Sequence, residues 1–253
     1  MRNAHTWRPS KFILVNGALR ISPDPAHVSP GSRFIGSLQA LAYDRMIRLH
    51  AHGALLDVGA GRVPLYEAYS RFAKEITCID WENSIHDLHH IDVFTDLAMR
   101  LPFPDASFNT IVCTDVLEHL PHPEIVMLEL ARLLRPDGKL LLATPFMYWL
   151  HEEPHDYHRY TEHRLRMLCC DCGLETLSLE AIGGGVDVVI DVVAKCVQRS
   201  STALRCWMAF GKALSWISNR LDTKGAARRR MPLGYALVAR RLSGDTAHSA
   251  TRS

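Results

Sequence analysis

The stretch LLDVGAGRVPLYEAY, residues 55–69, decides how the rest of the chain is read. An apolar run ends at Asp57, two glycines follow at Gly59 and Gly61, and a helix-like pattern opens at Pro64. In a strand–turn–helix unit, glycines let the backbone approach a ligand, and the helix N-terminus faces it with unpaired N–H groups. The dinucleotide fingerprint is G-x-G-x-x-G. Here the count runs Gly59, Ala60, Gly61, Arg62, Val63, Pro64, so the third glycine is absent and close packing over a pyrophosphate is not supported. An acid, Asp57, precedes the loop instead.

Working outward, ALLDVG reads as a strand and PLYEAYSRFA as a helix with Pro64 at its first position, where a missing N–H costs nothing. EITCID, HIDVFTD, FNTIVCTD and KLLLATPF supply further strands, HIDVFTD being the weakest, and the connection after Asp80 leaves room for one helical turn before Asp92. PEIVMLELARLLRPDG places Ile125, Leu128, Leu130, Leu133 and Leu134 on one helical face and closes with the turn residues PDG. TEHRLRMLCCDCG reads as a helix capped by Thr161, with Gly173 just past its end. LETLSLEAI and MPLGYALVARR complete the strands. Short apolar strands alternating with helices call for an α/β fold, a parallel sheet with helices on both faces.

With 47% hydrophobic and 22% charged residues, the 253-residue chain can bury one sizeable core. Residues 1–36, with Pro9, Pro23, Pro25 and Pro30, read as an irregular lead-in to a helix over 37–50. The main domain is expected over 37–242 and a flexible polar tail over 243–253. A formal net charge of +2, with basic residues spread along the chain, disfavours a nucleic-acid partner. No secretory leader is legible, and seven cysteines without framework spacing fit reduced thiols in the cytoplasm.

The D-x-G-x-G loop after an apolar strand resembles the first motif of the class I S-adenosylmethionine-dependent methyltransferases. The resemblance continues through Asp80 at the end of EITCID, Asp96 before LPFPDASFN, the IVCTDVLEHL stretch and LLRPDGKLLLATPF, covering roughly residues 40–180. It implies a Rossmann-like, mainly parallel seven-stranded sheet whose last strand is antiparallel. It also implies S-adenosylmethionine as cofactor: Asp57, Gly59, Ala60 and Gly61 at its amino-acid end, Asp80 on the ribose hydroxyls, Asp96 and Leu97 at the adenine, and Thr114 at the mouth. Asp92 competes with Asp96 for that place. The physics agrees, because this cofactor carries a sulfonium charge and a ribose diol but no phosphate, which suits carboxylates better than a third glycine.

The acceptor side falls on PFMYWLHEEPHDYHRYT, which leaves the carboxyl end of a strand, where ligands of open α/β sheets sit. Its H-D-Y-x-R-Y-T run is similar to a signature in a bacterial methyltransferase subgroup associated with polysaccharide and secondary-metabolite biosynthesis, implying a small-molecule or glycan-like acceptor methylated at oxygen. By chemistry, His155 or His158 serves as base with Asp156 orienting an imidazole and Arg159 holding the acceptor. The other reading is a buried clasp of Asp156, Arg159 and Tyr160. His119 in VLEHL reads as a structural turn histidine. HEEPHDYH offers metal ligands, but no C-x-x-C pair recurs around Cys169 and Cys172, so no metal is expected. Residues 186–221 form a helical insertion, basic and apolar by turns, suited to covering the site, to a homodimer or to peripheral membrane contact. Competing readings are a nicotinamide-dependent oxidoreductase and a non-catalytic partner protein of the same fold.

Overall fold

In the computed structural model, which describes residues 1–222, 225 and 229–242, a seven-stranded sheet forms the centre. Its strands are β3 (Gly53–Val58), β4 (Ala73–Asp80), β5 (Val93–Phe94), β6 (Phe108–Thr114), β7 (Leu134–Pro145), β8 (Leu174–Ile182) and β9 (Gly234–Arg241). Their spatial order is β5-β4-β3-β6-β7-β9-β8. β3 pairs in parallel with both β4 and β6, and β7 with β6, whereas β9 runs antiparallel to β7 and β8. The chain moves outward from β3 to β5 and then returns to β6 on the other side, so a crevice opens at the carboxyl ends of β3 and β6.

Alternation along the strands explains why both faces are covered. Leu55, Cys78, Val112, Leu141 and Ala143 face one side, while Leu56, Ile79, Ile111, Cys113, Leu140 and Leu142 face the other, and all are buried. On the second face lie α3 (Pro123–Leu133) and α4 (Glu162–Asp171), through Met127, Leu130, Leu133, Leu165 and Leu168. On the first lies α1 (Arg33–His50), through Ala40, Tyr43, Met46 and Ile47. Each fully buried large apolar side chain contributes about 1.5–3 kcal/mol, so these two layers set the fold.

The expected irregular lead-in is corrected here. Residues 1–36 contain a hairpin of β1 (Phe12–Val15) and β2 (Ala18–Ile21), and α1 starts at Arg33, ahead of residue 37. Asn16 and Gly17 take φ values of 52° and 76°, the left-handed conformation of a two-residue hairpin turn. The helix expected over PLYEAYSRFA is also shorter: α2 spans only Tyr66–Tyr69, because Val63 adopts φ 52° and Pro64 disfavours a helical residue before it. Trp7 packs against Tyr66, ring centroids 5.1 Å apart and planes tilted by 56°, and donates to the Val63 carbonyl at 3.1 Å.

Two further expectations change. Residues 81–92 contain turns and no helix. The PDG segment does not close α3; it bulges within β7, where the four residues between Leu134 and Lys139 lie opposite the single residue between Phe108 and Thr110 on β6. The Thr161 cap is as expected, with its hydroxyl accepting from Arg164 N at 3.2 Å and Gly173 at φ 71° beyond the helix. Between β8 and β9 lie α5 (Gly185–Val197) and α6 (Ser201–Leu221). Trp207 of α6 donates to the Ile190 carbonyl at 2.9 Å, locking the two helices together. The tail expected over 243–253 lies outside the described residues.

Candidate active site

The glycine loop leaves β3 in a left-handed conformation, with Gly59 at φ 63° and Gly61 at φ 53°. A methyl group at Gly59 would come within 2.5 Å of Val116, so only glycine passes there. Ala60 N donates to Ile79 O at 3.1 Å, and Gly61 N donates to Asp80 Oδ2 at 2.5 Å. Asp80 Oδ1 accepts from Trp81 N at 2.6 Å. Burial raises the Asp80 carboxyl above its ordinary value, and the two backbone donors oppose that rise. Asp57 stands behind the loop: buried, it accepts from the Tyr69 hydroxyl at 2.7 Å. Desolvation lifts it to about 7, against the Tyr69 bond and helped by the Asp80 charge.

The two acids of DVFTD separate cleanly. Asp92 accepts from Cys78 N at 2.8 Å and pairs with the Met1 ammonium at 3.5 Å, so it is committed to the scaffold. Asp96 is exposed and accepts from Ala98 N at 2.8 Å, with Leu97 buried beside it. Thr114 ends β6, half-buried. Next to it, Asp115 at φ 56° gathers Tyr43 Oη at 3.0 Å, Lys11 Nζ at 3.2 Å and Gln39 at 3.3 Å. Burial works against the Lys11 ammonium, but Asp115 outweighs it and raises the lysine.

The loop after β7 is held by a clasp. Asp156 takes both terminal nitrogens of Arg159, at 2.5 and 2.7 Å, and His151 N at 3.0 Å; Arg159 also donates to Trp149 O at 3.0 Å. The guanidinium holds the Asp156 carboxyl well below the usual range. Tyr160 donates to Leu117 O at 2.9 Å. Asp156 therefore stands beside His151, whose Nδ1 is 3.3 Å from Oδ2, and not beside His155 or His158. His155 Nδ1 meets the Tyr157 hydroxyl at 3.0 Å, and His158 Nε2 lies 3.4 Å from Pro121 O.

A cavity of about 240 Å³ opens over the carboxyl ends of β6 and β7. Ile21, Val28, Ile35, Ile182 and Leu233 make its apolar wall; Lys11, Asp115, His151 and Glu152 make much of its polar one. His155 and His158 are not in the lining. Glu152, at φ 53°, reaches His86 at 3.5 Å, and His86 is the ring a Cβ on Gly61 would approach at 3.1 Å. The cavity and the glycine loop thus meet at Glu152. Behind the polar wall, fully buried Glu118 lies 3.8 Å from His119 Nε2 and 3.8 Å from His151 Nε2. The sequence gives no role to Glu118 or Lys11, and it sets Glu152 in the acceptor loop without singling it out. Only Glu118 left a signal, an acid inside the apolar VLEHL.

Comparison with known proteins gives the same picture. Residues 56–142 match the methyltransferase domain family. A ubiquinone biosynthesis O-methyltransferase of Xanthomonas euvesicatoria pv. vesicatoria is 34% identical over 111 residues, 38% of this chain and 45% of that protein. One from Xanthomonas campestris pv. campestris is 33% identical over 103 residues, 36% and 42% respectively. The chain thus spans less than half the length of these curated relatives. A SAM-dependent methyltransferase from Archaeoglobus fulgidus shares the fold at TM-score 0.55 and 14% identity, covering 83% of this chain and 97% of its own. The [4+2]-cyclase SpnF shares it at TM-score 0.52 and 20% identity, covering 81% and 82%. Residues 56–142 are thus similar to a methyltransferase domain, and the sheet order agrees with the fold that the class I S-adenosylmethionine-dependent motifs imply.

Proposed function

We propose that this protein transfers a methyl group from S-adenosylmethionine to a hydroxyl oxygen of a small, ring-sized acceptor. The carrying observation is the junction at Glu152, where an amphipathic cavity meets the glycine loop. Bound at that loop, the cofactor supplies an electrophilic methyl group on a positively charged sulfur. The residues fit it: Gly61 keeps the space beneath His86 clear, and each Asp80 oxygen retains a lone pair for a ribose hydroxyl after its backbone bond. Gly59, Ala60 and Gly61 take the amino-acid end, Asp96 and Leu97 the adenine, and Thr114 borders the mouth. Asp57 braces the loop from behind through Tyr69.

On the acceptor side, about 150 Å³ is enough for a benzene ring, so a cavity of about 240 Å³ takes one substituted ring rather than a glycan chain. The apolar wall holds the ring. The polar wall turns its hydroxyl toward Glu152, which is placed to take the proton. The O-methyltransferase name of the curated relatives supports oxygen as the acceptor atom. His155, Asp156 and His158 serve this reading as the frame that holds His151 and Glu152. Transfer of a labelled methyl group to a panel of phenols and catechols tests it. Calorimetry showing tight NAD binding and no S-adenosylmethionine binding would reverse the choice.

A membrane role for the insertion has its own support. α6 contains Arg205, Lys212 and Arg220 and no acid, and its outer face exposes Phe210, Trp216, Ile217 and Leu221. No described helix is long and apolar enough to cross a bilayer. The face suits an anionic lipid surface. Sedimentation with phosphatidylglycerol vesicles, compared with neutral ones, checks it.

A further inference from the structure

We propose that Glu118, His119 and His151 bind one divalent transition-metal ion of the zinc type, whose open position faces the cavity. That the ion holds the acceptor oxygen rests on the methyl-transfer reading; the site itself does not. Glu118 has no exposed surface, and neither of its carboxylate oxygens has a hydrogen-bond partner. An ionised group so placed is costly unless something pairs with it. The two imidazole nitrogens aimed at it stand at 3.8 Å, beyond hydrogen-bond reach, and the three ligand atoms lie within 4.8 Å of one another. Around a tetrahedral zinc, ligand atoms sit about 3.4 Å apart, so the set assembles when each imidazole closes on the carboxylate by about 0.4 Å and the widest pair closes by at most about 1.4 Å.

The imidazoles are already oriented as ligands. His119 Nδ1 lies 2.6 Å from the His155 carbonyl, which can only accept, so Nδ1 carries the proton and Nε2 presents a lone pair. His151 Nδ1 makes no hydrogen bond, but it stands 3.3 Å from Asp156 Oδ2, so a small turn of the ring gives it a carboxylate in the same role. Metal-bound histidines are held this way from their far nitrogen. Two imidazoles with one carboxylate suit zinc or cobalt, not magnesium or calcium, which take oxygen ligands. Asp115 does not compete, being occupied by Lys11, Gln39 and Tyr43. His151 and Glu152 both border the cavity, so the fourth position opens toward the acceptor. There an ion binds the hydroxyl oxygen and increases its acidity, and the O–H proton passes to the Glu152 carboxylate.

The test titrates the full chain, stripped with chelator and dialysed, with Co²⁺ alone, following its visible absorption, and then displaces it with Zn²⁺. One Co²⁺ per chain is expected. His151→Gln and Glu118→Gln should weaken it by at least about 100-fold, and Asp156→Asn, outside the coordination set, by about 10- to 100-fold. The last variant serves if a ligand substitution unfolds the chain. Absence of a Co²⁺ spectrum in the wild type, or undiminished affinity in folded His151→Gln, overturns the site. The two readings separate in the methyl-transfer assay. Undiminished transfer after chelation, with no metal bound, removes the ion and leaves the activity. Stoichiometric metal binding without transfer to any acceptor removes the activity and leaves the ion.

Discussion

On the β3–β4 side of the cleft the proposed site is mostly backbone, shaped by Gly59 and Gly61 and pinned by Asp80; on the β6–β7 side the cavity is lined by side chains from distant segments. Lys11 comes from the hairpin, Asp115 from the end of β6, and His151 and Glu152 from the loop after β7. The glycine loop and Asp80 of the first half form a local device, held within β3, β4 and the turn between them. The second exists only after the chain has folded. One half can therefore bind the same cofactor in many proteins, while the other is free to change its acceptor.

If that division holds, Asp80→Ala gives the largest effect, and gives it on cofactor binding alone. Removing an anion that accepts two ribose hydroxyls loses about 4 kcal/mol, roughly 1,000-fold in Kd. Calorimetry measures this, with circular dichroism confirming the fold. Unchanged cofactor affinity in a folded variant would end the assignment.

Asp57 tests the same half through stability. The folded carboxyl titrates at about 7 and the ordinary value is 3.8, so between these the folded state holds the extra proton. The contribution of this group is then fully present below about pH 4 and is lost as pH rises through about 7. At about 1.4 kcal/mol per unit, the loss reaches at most about 4 kcal/mol. Asp57→Asn keeps an acceptor for Tyr69 and removes the loss. The variant's gain in Tm should be absent near pH 4, grow to pH 7 and level off at pH 8. A gain independent of pH would show that Asp57 is not desolvated at the loop.

The same division explains what could be read from the sequence. DVGAG and EITCID mark the proposed cofactor half because each motif is contiguous, and alternation along β3, β6 and β7 gives the sheet. The hairpin was legible too: Asn16-Gly17 between apolar runs is a turn signal, outvoted by the surrounding prolines. Lys11 meeting Asp115 across 104 residues leaves no local trace, nor does the buried meeting of Glu118 with His151. The H-D-Y-x-R-Y-T run pointed to the right loop. Its most visible residues turn out to frame the cavity, and the residues just ahead of them line it.

Glu152→Gln sharpens the acceptor half. It keeps size and shape but removes the proton acceptor, so turnover should fall about 100-fold, within the range typical of general bases. Cofactor Kd should move less than about threefold. A parallel loss of cofactor affinity would instead place Glu152 with the glycine loop through His86, merging the two halves.

The smallest effect is expected at the two histidines that the sequence makes most conspicuous. His155 contributes to the core of the loop through its carbonyl, which holds His119, and His158 through its N–H, which donates to Glu118 O at 3.2 Å. Both bonds survive truncation to alanine. What is lost is the contact of the His155 ring with Tyr157 and the edge of Trp81, and a long approach of the His158 ring to Pro121. Such partly exposed contacts are worth about 0.5 kcal/mol or less, so His155→Ala and His158→Ala should each change turnover by less than about threefold. A loss of tenfold or more in either, at unchanged cofactor affinity, would move proton acceptance outward to the loop tip. The acceptor would then approach over Trp81, and the cavity beneath would have to serve something other than the reacting hydroxyl.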